Sequence, residues 1–332
     1  MKKKKNLNFV TLILVIAAYA VVAFLLYSGG LKRQISNMLI PISVYIVLAV
    51  SLNLVVGLLG ELSLGHAGFM SVGIFSGCLV SIALEPYLPM VARLPLCMII
   101  GGLIAAFFGF LVGLPALRLK GDYLAIVTLA CGEIIKNVIT NLKLTGGALG
   151  LNTGSIYSAP KQLLPYAIVL VLLTTIVMMN LKNSKQGRAI MAIRDNRIAA
   201  ESIGLNVTRF KLVVFMIAAF FAGAAGTLYG HFFANVKAAS FDYNMSIEIL
   251  VIVVLGGMGS VPGSIIAAII LVALPEAMRS FADYRMLLYA IVLILVMLAR
   301  NSAGMKNLLE RIKPTKLINR LAKKQVQEKE GA

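Results

Sequence analysis

The chain of 332 residues is 60% hydrophobic and only 13% charged, with a mean hydropathy of +0.92. It has too few polar residues to cover a water-facing exterior, so lipid is the expected solvent for most of it. A formal net charge of +18 would suit nucleic acid, but no aromatic-interleaved basic fold accompanies the charge, and the basic residues gather in alternate loops as in an oriented membrane protein.

In chain order, Lys2, Lys3, Lys4 and Lys5 precede a first apolar run, Phe9 to Tyr27. Ala18-Tyr19-Ala20 resembles a signal-peptide cleavage site, but the run exceeds a usual signal core and reads as an uncleaved anchor. Further apolar runs follow at Ile35–Gly57, Leu64–Leu84, Leu94–Leu117, Asp122–Thr140, Leu163–Leu181 and Phe210–Phe233. Each approaches the ~20 residues that a helix needs to cross hydrocarbon. Ser246–Met278 is too long for one ordinary span and is interrupted by Gly256, Gly257, Gly259, Pro262 and Gly263. Such breaks occur where backbone is buried in protein or lines a cavity, so two short helices are expected there. A last run is Tyr284–Ala299.

The basic clusters set the orientation. They fall before the first run, at Arg118 and Lys120, between Lys182 and Lys211, and from Arg300 to Lys329. Placing all of them inside requires the broken segment to be a hairpin. The expected fold is therefore an all-α polytopic membrane protein of about ten transmembrane or half-membrane helices with both termini cytoplasmic. Residues 1–8 form a basic cytoplasmic N-terminus, 9–300 the membrane domain with a cytoplasmic loop at 182–211, and 301–332 a basic tail. The segment Asn141–Gln162, with its glycine-rich Thr145-Gly146-Gly147-Ala148-Leu149-Gly150, is too polar to span and falls outside.

Two Gly-rich stretches, Val56–Gly65 and Val254–Gly263, resemble one another and sit one in each half. Broken helices in matching halves point to a transport pathway. On the inside, Arg188 to Ile203 has helical apolar spacing, with Ile190, Ile193 and Ile198 alternating with Arg194, Asp195 and Arg197. Gly204 should end that helix. It reads either as a membrane-surface helix or as one that docks into a groove on a partner.

Several segments carry a family resemblance. Ile198-Ala199-Ala200-Glu201-Ser202-Ile203-Gly204 resembles the coupling-loop signature of ABC importer permeases, with Ile198 in place of the leading Glu. Leu62–Phe69, Lys120–Leu129 with Gly132–Ile135, Leu144–Gly147, Gly187–Ala189, Ala192–Asn196 and Val254–Ser260 resemble, in order, the M-type permease subunit of branched-chain amino acid importers. The resemblance covers about Asn53 to Arg300 and implies a type II importer permease fold in a bacterial inner membrane. It further implies pairing with a homologous H-type permease, two cytoplasmic ATPases and a substrate-binding protein outside. No G-x-x-x-x-G-K-[ST] occurs, so the chain is expected to be no enzyme and to bind no cofactor of its own, the ATP being used by partner subunits.

The candidates for the translocation path are Ser63, Gly65, His66, Gly68, Glu133, Gly256, Gly257 and Gly259. Those for ATPase coupling are Arg188, Arg194, Asp195, Arg197, Ala199, Ala200 and Gly204. Glu133 and Lys136 share a helix face and read as a pathway element or as an internally satisfied pair. His66 reads as a gating group or as a hydrogen-bonded packing residue. With His231 far away in sequence, no metal site is expected. Cys78, Cys97 and Cys131 lie in apolar runs as small hydrophobes. The alternatives in the same class are a permease for urea, amides or sugars. An ion-coupled transporter would need several midplane carboxylates, and Glu133 is the one serious candidate.

The orientation is testable. A cysteine at Gln186 should resist an impermeant maleimide on intact cells and react after lysis, whereas one in Asn141–Gln162 should react on intact cells. Labelling at Gln186 without lysis would overturn the arrangement.

Overall fold

The computed structural model describes residues 16–24, 26, 28, 33–119, 121–277 and 294. The expectations for residues 1–8, for Tyr284–Ala299 and for the tail 301–332 lie outside the described residues. One compact unit covers residues 1–273, and a second begins at Leu274.

The chain is built almost wholly of helices, because a backbone in hydrocarbon must satisfy its own hydrogen bonds. In order they are α1 (Arg33–Asn53), α2 (His66–Leu84), α3 (Met90–Ala116), α4 (Asp122–Asn141), α5 (Pro160–Asn183), α6 (Lys185–Asp195), α7 (Arg197–Ser202), α8 (Val207–Gly230), α9 (Tyr243–Gly256) and α10 (Val261–Ala277). Helix α1 runs on into a π-helical turn, Leu54–Leu59, closed by Gly60 at φ 79°. Among the described residues, seven helices are long and apolar enough to cross a membrane. The expected break is present: α9 and α10 are two helices separated by Gly257 and Gly259, both at positive φ.

The centre of the bundle is α2, α3 and α8. Lipid tails are as apolar as Leu, so close backbone packing has to hold these helices together. Gly73 of α2 faces Gly223 of α8, where a Cβ would lie 2.2 Å from the Gly223 Cα, and Gly101 of α3 faces Thr227. The Thr227 hydroxyl donates across the interface to the Gly73 carbonyl at 2.9 Å. Phe69 stacks edge-on against Phe215 at 5.3 Å. On α3, Ile99, Leu103, Phe107, Leu111 and Leu114 are exposed at helical spacing, the pattern of a lipid-facing stripe.

At one end, two connections fold over the helices. Leu151–Asn152 (β1) pairs antiparallel with Asn235–Val236 (β2). Thr153 donates its N–H to the Ala234 carbonyl, and Ser158 donates its own to that of His231, both at 2.9 Å. The long segment Asn141–Gln162 is thus an ordered cap. His231 is set by two bonds of 2.8 Å: its Nδ1–H donates to the Thr227 carbonyl and its Nε2 accepts from Ser81. The opposite end carries α6 and α7.

Two helices begin inside the bundle. Phe69, in the first turn of α2, meets Phe215, which lies ~12 Å along α8 from Val207 at 1.5 Å per residue. The Tyr243 N–H at the start of α9 donates to Glu133 at 2.9 Å, and Glu133 lies ~17 Å along α4 from Asp122.

Gly73→Ala or Gly223→Ala should lower the thermal unfolding midpoint in detergent, since overpacking a tight contact costs about 1–3 kcal/mol. Gly132→Ala is the control, because its Cβ would find nothing closer than 3.6 Å. Equal midpoints for all three variants would contradict the close-packed interface.

Candidate functional site

The π turn and the α9–α10 break lie against one another. A Cβ at Gly57 would fall 2.1 Å from the Gly259 nitrogen. The two similar Gly-rich stretches therefore meet in space. Their link is Asn53, wholly buried. Its Oδ1 accepts from the Gly259 N–H at 2.7 Å, and its Nδ2 donates to the Ser264 hydroxyl at 2.8 Å and the Ser260 carbonyl at 3.2 Å. Both polar atoms of that amide are used on the broken segment between α9 and α10.

Helix ends inside the bundle leave carbonyls that the helix cannot satisfy and that carry partial negative charge. Cations supply the missing partners. Arg194 of α6 donates from Nη1 to the Gly57 carbonyl at 3.1 Å, and its stem fills the space where a side chain at Gly60 would be. Lys182, at the end of α5, donates to the Gly259 carbonyl. Lys211 of α8 pairs with Glu61, just beyond the π turn. Three basic residues of the segment 182–211 thus grip both breaks.

That segment differs from the single helix expected over Arg188–Ile203. Asn196 has extended dihedrals (φ −152°, ψ 102°), and its side chain accepts from the Ala199 N–H, capping a new helix. Ser184 and Asn206 cap α6 and α8 in the same way. The turn at Asn196 swings Ile198 out of the apolar face formed by Ile190 and Ile193, leaving it 80% exposed. Gly204, at φ 83°, ends α7 as expected. Its N–H bonds the Glu201 carbonyl at 3.0 Å, and the Leu205 N–H bonds that of Ala200 at 3.1 Å, the Schellman pattern.

Ala200 requires a correction. It is 2% exposed and packs with Ile193 and Val207 in the chain's own small core. Its side chain is closed to another protein, and the surface of α7 is made instead by Ile198 and Ile203, the latter 74% exposed. Ala199 lies on the exposed side of the same turn. Arg188 donates to the Asn183 carbonyl, Asp195 pairs with Arg194, and Arg197 pairs with Glu201 at 2.8 Å.

The other expected residues lie along the start of α2. Gly65 approaches the Thr128 carbonyl of α4, and Gly68 approaches Gly132. The extended link before α2 is pinned by the Leu64 N–H donating to Thr128 Oγ1 at 3.0 Å. Ser63 is buried, and its hydroxyl has no partner among the described residues. His66 lies 2.8 Å from Ser51 Oγ, which donates its own proton to the Leu48 carbonyl. That order makes His66 the donor, from Nε2. Glu133 pairs with Lys136 and caps the start of α9. Next to it, the Ala67 N–H donates to Ser246 at 3.1 Å, so the starts of α2 and α9 meet midway through the bundle. Gly256 packs on Gly263 across the break, while Gly257 (φ 99°) and Gly259 (φ 80°) turn it.

Sequence reasoning passed over Asn53, Lys182, Lys211, Glu61 and Tyr45. A buried Asn six residues from a helix end was the one available signal for the first. Glu248, on α9, accepts at Oε2 from the Tyr45 hydroxyl at 3.0 Å.

These features define an all-α polytopic membrane protein. The profile of the family described as branched-chain amino acid transport system / permease component matches residues 34–297. The chain is 38% identical over 288 residues to the high-affinity branched-chain amino acid transport system permease protein LivM of Salmonella typhimurium, covering 77% of this chain and 66% of that one. It is 27% identical over 322 residues to the ribose import permease protein RbsC of Haemophilus influenzae, covering 91% and 94%. It is 31% identical over 121 residues to the permease protein LivH of Escherichia coli, covering 36% and 39%. No solved structure matches it. The chain belongs to the branched-chain amino acid transport system permease family.

Asn53→Ala would leave the buried Gly259 N–H unpaired, at about 1–3 kcal/mol. A clear drop in thermal midpoint is expected, against little change for Asn183→Ala, whose amide bonds only its own helix at Met179. An unchanged midpoint for Asn53→Ala would show that the breaks hold without the amide.

Proposed function

We propose that the chain is the M-type permease subunit of an ATP-binding-cassette importer that moves leucine, isoleucine and valine across the bacterial inner membrane. Its partners are a homologous H-type permease, two ATPases on the α6–α7 side and a binding protein on the β1–β2 side. ATP hydrolysis takes place in the ATPases. The identity to LivM supports the substrate class, and the likeness to LivH supports a paired, homologous permease.

The observation that carries the coupling mechanism is the grip of Arg194 and Lys182 on the two broken helices. An ATPase that binds the exposed Ile198 and Ile203 moves α7. Helix α6 moves with it, because Ile193, Ala200 and Val207 pack the segment as one piece. Arg194 then transmits the shift to the Gly57 break, and Asn53 passes it on to the α9–α10 break. The starts of α2 and α9, midway through the bundle, are the elements this motion re-aims. Sidedness follows from the basic residues of 182–211, which favour the cytoplasm.

Ile198→Asp with Ile203→Asp should abolish leucine uptake by the reconstituted importer and its binding-protein stimulation of ATP hydrolysis, while the subunit still inserts. Arg194→Ala should keep ATPase binding and lose uptake. Coupling energies between sites are about 1–3 kcal/mol, up to roughly a hundredfold, so the loss should be plain. Full stimulation and uptake in both variants would overturn the coupling route. The likeness to the ribose permease is decided by the same preparation: uptake of ribose and not leucine would reassign the substrate.

A further inference from the structure

A cavity of about 370 Å³ is lined by α1, the end of α8, the connection through β2 and the first turns of α9. Its volume lies at the lower end of the range for small-ligand sites, about 300–1,000 Å³. Its walls are the rings of Tyr45, Tyr229, Phe233 and Phe241 with the Met245 thioether. Glu248 also lines it. This carboxylate lies one turn into α9, level with Tyr45, ~18 Å along α1 from Arg33. It is only partly exposed, and the Tyr45 hydroxyl is its one hydrogen-bond donor among the described residues. A carboxylate accepts several bonds, and an ionised one held away from bulk water needs a cation. Lys237 lines the same cavity from the connecting segment, and among the described residues it makes no ion pair.

One chemistry uses all of these features: a primary ammonium and an anion on one carbon, attached to a short apolar chain. We propose that this cavity is a binding subsite of the permease for a zwitterionic aliphatic amino acid. The ammonium sits on Glu248, the carboxylate faces Lys237, and the side chain lies among the aromatic rings. This deepens the transport reading and rests on it for the substrate class. The location fits transfer: the cavity extends from β2, on the side where a binding protein would deliver its ligand, to the start of α9. An aminophospholipid headgroup shares the ammonium-plus-anion chemistry, and the test separates the two sources.

The test uses the purified full-length chain with any co-purifying subunits in phosphatidylcholine nanodiscs, whose lipid has no primary ammonium. Ser240, an exposed residue lining the cavity, is replaced by Cys in a Cys131→Ser background, and its rate of maleimide labelling is measured. L-Leucine should slow labelling several-fold. Leucinol, lacking the carboxylate, should protect less, and its protection should not depend on Lys237. 4-Methylpentanoate, lacking the ammonium, should protect little. Glu248→Gln keeps an acceptor for Tyr45 and should abolish protection by leucine and leucinol, Glu248→Asp should restore part of it, and Lys237→Met should weaken protection by leucine only. Absence of protection by leucine, or equal protection in Glu248→Gln, overturns the subsite. Protection without leucine in phosphatidylethanolamine nanodiscs gives the cavity to a headgroup and also overturns it. Leucine uptake by the reconstituted importer is measured separately: its absence overturns the transport reading, and the labelling result still decides the cavity.

Discussion

A helix that ends inside a membrane protein leaves backbone groups that lipid cannot satisfy. The arrangement of this chain follows from that constraint. Each internal helix end has a dedicated partner: Arg194 at the π turn, Asn53 and Lys182 at the α9–α10 break, Ser246 at the start of α2, and Glu133 and Asp242 at the start of α9. All but Asp242, which caps its own helix, come from other helices, so satisfying the backbone also ties the helices together. Breaking a helix therefore creates a joint rather than a defect.

The joints are also where the membrane part meets the polar segment. Arg194 and Lys182 are positively charged residues placed at the negative ends of helices. Both contacts cap the breaks: Arg194 joins the π turn to α6, and Lys182 joins the α9–α10 break to the end of α5, just before α6. A movement of α6 cannot leave the π turn unchanged, because the Arg194 stem fills the place of a side chain at Gly60. Elsewhere the bundle is stiff: the Gly73–Gly223 approach leaves no slack for α2 to slide on α8.

Much of this was legible in residue order. Among the described residues the spans followed from hydropathy, the α9–α10 break from its glycines, and the end of α7 from Gly204. The segment 182–211 was located by its charge and apolar spacing, but it is not the single helix expected. Asn196 breaks it, so Ile198 leaves the apolar spacing of Ile190 and Ile193 and is exposed, while Ala200 is buried. A cap is a local signal, and it outweighed the period. Glu133 was singled out as an intramembrane charge, yet its role in capping α9 depended on where α9 begins.

Sequence by itself determined the solvent, the helical class, the positions of the spans and breaks, and the family, because each rests on local composition, short-range pattern or motif order. Only the tertiary structure decided which ends meet. Asn53 reaches Ser264 across 211 residues and Tyr45 reaches Glu248 across 203. A periodic pattern tells which face of a helix is buried but not the depth at which the helix starts. That Glu248 meets Tyr45 depends on the packing of the whole bundle.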